Sequence, residues 1–416
     1  GAPPSPALPA ALVVAADGAY GARLAPAYPP GPEGPGPAEP FWFAERWTLS
    51  GPEPYAVPLP LGQPEEADTQ VQPMADGRVL VCRRVADRYG ISLLYPTGPG
   101  TGEVWLGTVD RPHLTLLPPA PGGGLVHALA VGERTTDVWL VAGGAHGPEP
   151  IARVPGRCSG GTWLDRTGRL LALDREAGGA VKAIAVDLSS GGAVSPLLQI
   201  TEDSDDRLLL ADPDSGLLLI RSDAPGHDRL GWGVLGSARP VRFPECLRPA
   251  GAVVTPFAVQ PGQALTPENC AVAFRVDGPG GTCVGVWRPA GRRLHLLPAP
   301  PDWLVGTGYW TPEGVLRMPC AAPAAPCAVA EVRAPDDGPG PAHHGGDTPG
   351  RAGETDVTPA PGAAPAPSAR TAAAPAPAGA AGPASPWSRP VPLQQAPLQQ
   401  QDTVRRVSIG GQGARG

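Results

Sequence analysis

The chain of 416 residues is predicted to be all-β: repeated four-stranded antiparallel units, followed by a disordered tail. Three observations carry that prediction. The 57 Gly and 59 Pro make long helices improbable, because Pro disrupts and Gly weakens a helix interior. A hairpin of strand, polar turn with Gly, and strand recurs along the chain. A second unit, a third strand, short turn and fourth strand, follows each hairpin. The 42% hydrophobic content suffices for a sizeable core.

Taken in order, the first copy begins at Asp17-Gly18 and continues through "FWFAERWTLS" (41–50), interrupted by the insertion "PPGPEGPGPAEP". "VQPMADGRVLVCR" (71–83) turns at Asp76-Gly77, and "EVWLGTVDRPHLTLLPPAP" (103–121) supplies its third and fourth strands. "GERTTDVWLVAGG" (132–144) fills the next place. "GTWLDRTGRLLALD" (161–174) turns at Gly168 and is completed by "KAIAVDLSSGGAVSPLLQI" (182–200). "LLLADPDSGLLLIRS" (208–222) turns at Gly216 and is completed by "RLGWGVLGSARPVRFPECL" (229–247). "LTPENCAVAFRVDG" (265–278), a copy without a turn glycine, precedes "TCVGVWRPAGRRLHLLPAP" (282–300), which matches 103–121 down to Leu-Leu-Pro. "GYWTPEGVLRMP" (308–319) turns at Gly314. Glycine suits these turns because hairpins demand positive φ there, and an acidic or hydroxyl neighbour bonds the turn backbone. Trp105, Trp232 and Trp287 are expected in equivalent third strands, filling the space between units.

A period of about 45 to 50 residues with four strands per copy is the spacing of a β-propeller, here of seven blades with six as the alternative. The organisation expected is a flexible N-terminus (1–10), a propeller (11–334) and a disordered Pro/Ala/Gly-rich tail (335–416). The tail has almost no large apolar residue, so it cannot bury enough surface to offset chain entropy.

The run of an aromatic or Pro, a D-x-x-G turn and then Arg-Leu-Leu-Ala resembles WD40-like propellers. More narrowly it resembles the TolB-type repeat, which also occurs in the propeller half of prolyl oligopeptidases. That resemblance implies a fold and no chemistry, since those peptidases carry their hydrolase residues in a separate domain.

No G-x-S-x-G elbow is present. The nearest stretch, Gly156-Arg157-Cys158-Ser159-Gly160, leads into strand rather than helix, so no catalytic residue is assigned. Asp212-Pro213-Asp214-Ser215-Gly216 has alternating acids but too few oxygens for calcium, and reads as a hairpin turn. The histidines and the Cys320/Cys327 pair lack metal-ligand spacing, and His343-His344 falls in the tail. No cofactor and no metal are expected. Two segments suggest partner binding: the acidic loop with Glu202, Asp203, Asp205 and Asp206, and the tail with Arg405 and Arg406, where Ser408 has the setting of a phosphosite.

The formal net charge of −7 argues against a nucleic-acid partner, which needs a basic surface. No apolar run reaches the roughly 18 residues of a membrane helix, and the start "GAPPSPALPAALVVAADG" lacks the basic region of a signal peptide. Seven cysteines, an odd number without C-x-x-C, suit a reducing cytoplasm. Lys182 is the only lysine and Asn269 the only asparagine, as a high-GC bacterial genome would give. The function expected is a monomeric, non-enzymatic, cytoplasmic propeller that binds protein partners through its face loops. A peptidase-associated propeller or enzyme, and a TolB-like envelope module exported by a preceding signal, are the alternatives.

Overall fold

The computed structural model describes residues 11–27 and 40–335. Regular structure there is β, apart from three short 3-10 turns. The strands follow one another as antiparallel meanders in chain order. Four-stranded sheets cover residues 13–59, 70–109, 115–155 and 253–298; a seven-stranded sheet covers 158–234 and a three-stranded one 309–333. The seven-stranded sheet is two meanders joined by one parallel pair, Lys182 with Asp206. The second meander is completed by a bridge from Trp232 to Arg242. This is the propeller architecture expected from the repeats.

The core lies between the sheets rather than within any one of them. Ala22, Leu24 and Leu59 of the first sheet pack on Val71, Val79 and Leu94 of the second. The second packs on the third through Leu80, Ile91, Ala128 and Trp139, and the third on the next through Leu129, Val154, Leu171 and Ile184. The series continues to the last sheet, where Leu12, Trp47 and Leu49 of the first meet Tyr309 and Val329. The ring is thereby closed. Period-2 alternation makes this work: successive residues of a strand face opposite neighbours, so both faces must be apolar. Trp47, Phe274 and Trp287 are almost fully buried, and removing such a side chain from water stabilises by roughly 1.5–3 kcal/mol.

The turns hold where the glycines place them. Gly18, Gly77, Gly168, Gly216 and Gly314 all have φ between +68° and +82°, a region that costs other residues about 1–2 kcal/mol. Two assignments of register are corrected. Residues 101–109 form the outermost strand of the second sheet, and Thr115–Leu116 the innermost strand of the third, whereas 281–287 and 295–298 are third and fourth strands. Any two consecutive strands of a meander share the strand–turn–strand pattern, so the likeness of 103–121 to 282–300 did not fix which two they are. Trp105 accordingly lies on an outer edge and is 60% exposed, its ring over Gly90, while Trp232 and Trp287 fill third-strand positions at 4% and 1%. Likewise 132–144 holds the turn after the second strand of its sheet and the third strand, Thr135–Ala142. The equivalent turn there falls at Gly122-Gly123, closed by Leu117 N–H donating to His127 O at 2.8 Å. The copy without a turn glycine is a longer link, closed by Gln260 N–H donating to Ala271 O at 2.8 Å.

Candidate functional site

The innermost strands pair with a neighbour along one edge only. Val13–Val14, Gln70–Pro73 and Thr115–Leu116 each bond to the second strand of their own sheet, which leaves the other edge unpaired within a sheet. Together with Phe257 and Gly306–Gly308 they surround an axial cavity of about 700 Å³, within the usual range for ligand sites.

Its walls are held by specific contacts. The Gln70 side chain braces two inner strands: its Nε2 donates to Leu114 O at 2.8 Å, and its Oε1 accepts from Leu116 N–H at 2.7 Å. Trp163 Nε1 donates to Pro118 O at 2.9 Å, behind the wall formed by Leu116 and Leu117. The His127 ring stands 5.1 Å from that indole, and burial lowers its pKa to about 4, so it stays neutral near pH 7. On the far side, Trp303 Nε1 donates to Thr307 O at 2.7 Å, and the Phe257 ring lies 5.5 Å from Trp303. Gly308 is required here, since a Cβ would come within 2.8 Å of the Phe257 ring.

The lining is apolar through Leu12, Leu24, Leu116, Leu117 and Phe257, and otherwise nearly all uncharged. Three buried polar residues line it: Gln72 at 2% exposure, Thr69 at 5% and Thr307 at 8%. None of their side chains makes a hydrogen bond among the described residues. Asp68 is the one ionisable lining residue; it is exposed, and has no ion-pair partner among the described residues. None of these polar atoms is among the fully buried, unpartnered ones, so they open onto the cavity, where the Gln72 amide is free to bond a ligand group.

The acidic loop is divided between surface and interior. Glu202 and Asp203 are exposed and Asp205 is half-buried, but Asp206 is fully buried at 0% exposure. Lys182 Nζ donates to Asp206 Oδ2 at 2.9 Å, to Thr201 O at 2.6 Å and to Ser204 O at 2.5 Å. Ser222 Oγ donates to Asp206 Oδ1 at 2.7 Å. Burial raises the pKa of this carboxyl, but the bonds from Ser222 and Lys182 outweigh it and hold the value below the usual range. Asp205 Oδ1 accepts from Val181 N–H at 2.7 Å. Asp205 and Asp206 therefore tie two meanders together, and the outward-facing acids are Glu202 and Asp203.

Cys158 is buried at the start of the strand Cys158–Trp163, where burial pushes its thiol pKa up, the reverse of an activated nucleophile. Asp212 accepts from Ser215 N–H at 2.8 Å and from Gly262 N–H at 2.9 Å, so the 212–216 acids sit in a turn and a cross-sheet brace. No group of three metal-ligating side chains occurs among the described residues, and none of their helices is long and apolar enough to cross a membrane. Arg405, Arg406, Ser408, His343-His344 and the 29–40 insertion up to residue 39 lie outside the described residues. The cavity itself was not foreseen from the sequence. Its one local signal is the pair Gln70 and Gln72, polar at alternate positions of an otherwise apolar inner strand.

No family model matches the chain, and no curated protein does. Among solved structures it is similar to TolB from Acinetobacter baumannii, with 12% identity over 80% of this chain and 83% of that one, at a TM-score of 0.40. It is also similar to a Mycobacterium tuberculosis puromycin-hydrolyzing peptidase (15% identity, 79% of this chain and 54% of that one, TM-score 0.41). Prolyl oligopeptidase B from Galerina marginata is a third (13%, 74% and 46%, TM-score 0.45). The chain spans about half the length of these two peptidases.

Proposed function

We propose that this chain is a non-enzymatic propeller, of seven blades when the seven-stranded sheet is counted as two, which binds a protein partner through its axial cavity and the surrounding face. The observation that carries the proposal is Gln72, buried at 2% with its amide unpaired and lining an apolar cavity. A rigid sheet framework presents such a site at low entropic cost on binding. Glu202 and Asp203 supply a second, exposed contact, and the basic segment with Arg405, Arg406 and Ser408 a third that raises local concentration around a partner already engaged. Buried thiols at Cys82, Cys158, Cys270 and Cys320 suit a reducing cytoplasm.

The test is affinity capture from native extract with the wild-type chain, with Thr115→Trp, which fills the exposed cavity mouth, and with Glu202→Gln/Asp203→Asn. The expected outcome is a partner lost with Thr115→Trp at an unchanged melting temperature, and weakened by the double substitution. A partner retained in full by both variants overturns the proposed surfaces. Hydrolysis of peptide or ester substrates that Cys158→Ser abolishes would overturn the non-enzymatic reading itself.

A further inference from the structure

Resting on that reading, we infer that the axial cavity recognises the free N-terminus of an apolar peptide segment, with Gln72 pairing its backbone and Asp68 facing its ammonium group. Three consecutive residues, Gln70, Val71 and Gln72, all line the cavity. Successive side chains of a strand point to opposite faces. A cavity that reaches all three therefore meets the strand at its edge, where backbone donors and acceptors are presented. That edge has no backbone partner among the described residues, the strand being paired with Val79–Val85 on its other side alone. An extended peptide is the ligand that matches an open strand edge, and side-chain pockets beside the edge then select its residues.

The pockets are apolar, and the buried polar groups among them are neutral, so a charged side chain inside would lose its hydration without gaining a counter-charge. Charge selection is left to Asp68, the single exposed carboxylate on the lining. It complements an N-terminal ammonium and opposes a C-terminal carboxylate. Solvent screening keeps such an exposed pair modest, worth no more than about fivefold in affinity. The Gln72 amide on the lining contributes a similar or larger factor, since its loss leaves a backbone group of the peptide unpaired.

The experiment titrates the full chain with a dye-labelled probe, Ala-Leu-Val-Leu carrying the dye at an amidated C-terminus, in free-amine and N-acetylated forms. The free-amine probe should bind the wild-type chain about threefold to fivefold more tightly than the acetylated one. Asp68→Asn should bring the two forms to equal affinity, Gln72→Leu should weaken both by about fivefold to tenfold, and Thr115→Trp should abolish both. Asp68 is exposed, so its substitution leaves folding intact even where Gln72→Leu perturbs it. Equal binding of the two forms to the wild type overturns the inference, as does a preference that persists in Asp68→Asn. If neither probe binds while Thr115→Trp still loses a captured partner, recognition of an N-terminus is wrong and the partner-binding proposal stands.

Discussion

Lys182, the single lysine among 32 basic residues, occupies a place that arginine cannot fill. Its compact ammonium has three donors directed at Thr201 O, Ser204 O and Asp206 Oδ2, whereas a planar guanidinium presents its donors as a fork. Lys182→Met should leave the Asp206 carboxylate buried and uncompensated, at a cost of about 3–5 kcal/mol in urea unfolding; a loss below about 1 kcal/mol would show that Ser204 and Ser222 suffice. A second buried acid behaves oppositely. Asp174, 6% exposed, has its pKa raised by burial to about 6, with only the bond from Leu208 N–H, at 3.1 Å, and the charge of Arg207 working against it. Because the folded value lies above the ordinary 3.8, the stability associated with this group is complete below pH 3.8 and is lost as pH rises through 6. Asp174→Asn should therefore stabilise the chain at pH 7 by up to about 3 kcal/mol, and the gain should vanish near pH 4. His127 carries the reverse sign from the other side of neutrality. Its folded pKa of about 4 lies below 6.5, so its contribution is present above pH 6.5 and is lost as pH falls towards 4.

At the level of elements, the turn glycines make the sharpest test. Gly168 has φ +68°, and a Cβ there would meet nothing nearer than 4.0 Å, so Gly168→Ala isolates the backbone term. It should lower stability by about 1–2 kcal/mol, measured by thermal or urea unfolding. Gly161, where a Cβ would collide with the Leu117 side chain behind the cavity wall, should cost more and also disturb the cavity. An equal effect at the two positions would mean that the wall yields freely. These positions also show how far the sequence could be read. Gly77, Gly168, Gly216 and Gly314 are local requirements of a tight hairpin, so their spacing announced the repeats. Register in the third sheet is not local. Its turn at Gly122-Gly123 has no acidic residue, and Trp105 reads like Trp232 and Trp287 until neighbouring sheets decide which strands are inner. The acidic run 201–206 was legible as a loop, but the inward turn of Asp206 depends on Lys182, 24 residues earlier. The cavity was the least legible feature, because it is assembled from residues of five successive and distant segments of the chain, none with a motif of its own.

Over the whole molecule, stability depends on how the ring closes. The first and last sheets share no strand pairing among the described residues. They meet through the apolar cluster of Leu12, Trp47 and Leu49 with Tyr309 and Val329, and through the close approach of Gly18 to Tyr309. Hydrogen bonds within each sheet survive whether or not this seam is shut, so the closing free energy resides in packing. Trp47 is the centre of that packing at 0% exposure, and its Nε1 donates to Glu45 Oε2 at 2.7 Å. Trp47→Ala should cost about 3–5 kcal/mol, as truncation of a buried aromatic does. The distribution of that loss is the more telling result. If closure is carried at this seam, hydrogen exchange should quicken together in residues 20–59 and 309–333, which form its two sides, while residues 126–186 on the far side of the ring keep their protection. Because Leu12 to Val14 and Gly306 to Gly308 also line the axial cavity, opening the seam should weaken binding there as well. Uniform quickening of exchange around the ring would instead show that the disc unfolds as one cooperative unit with no preferred point of opening.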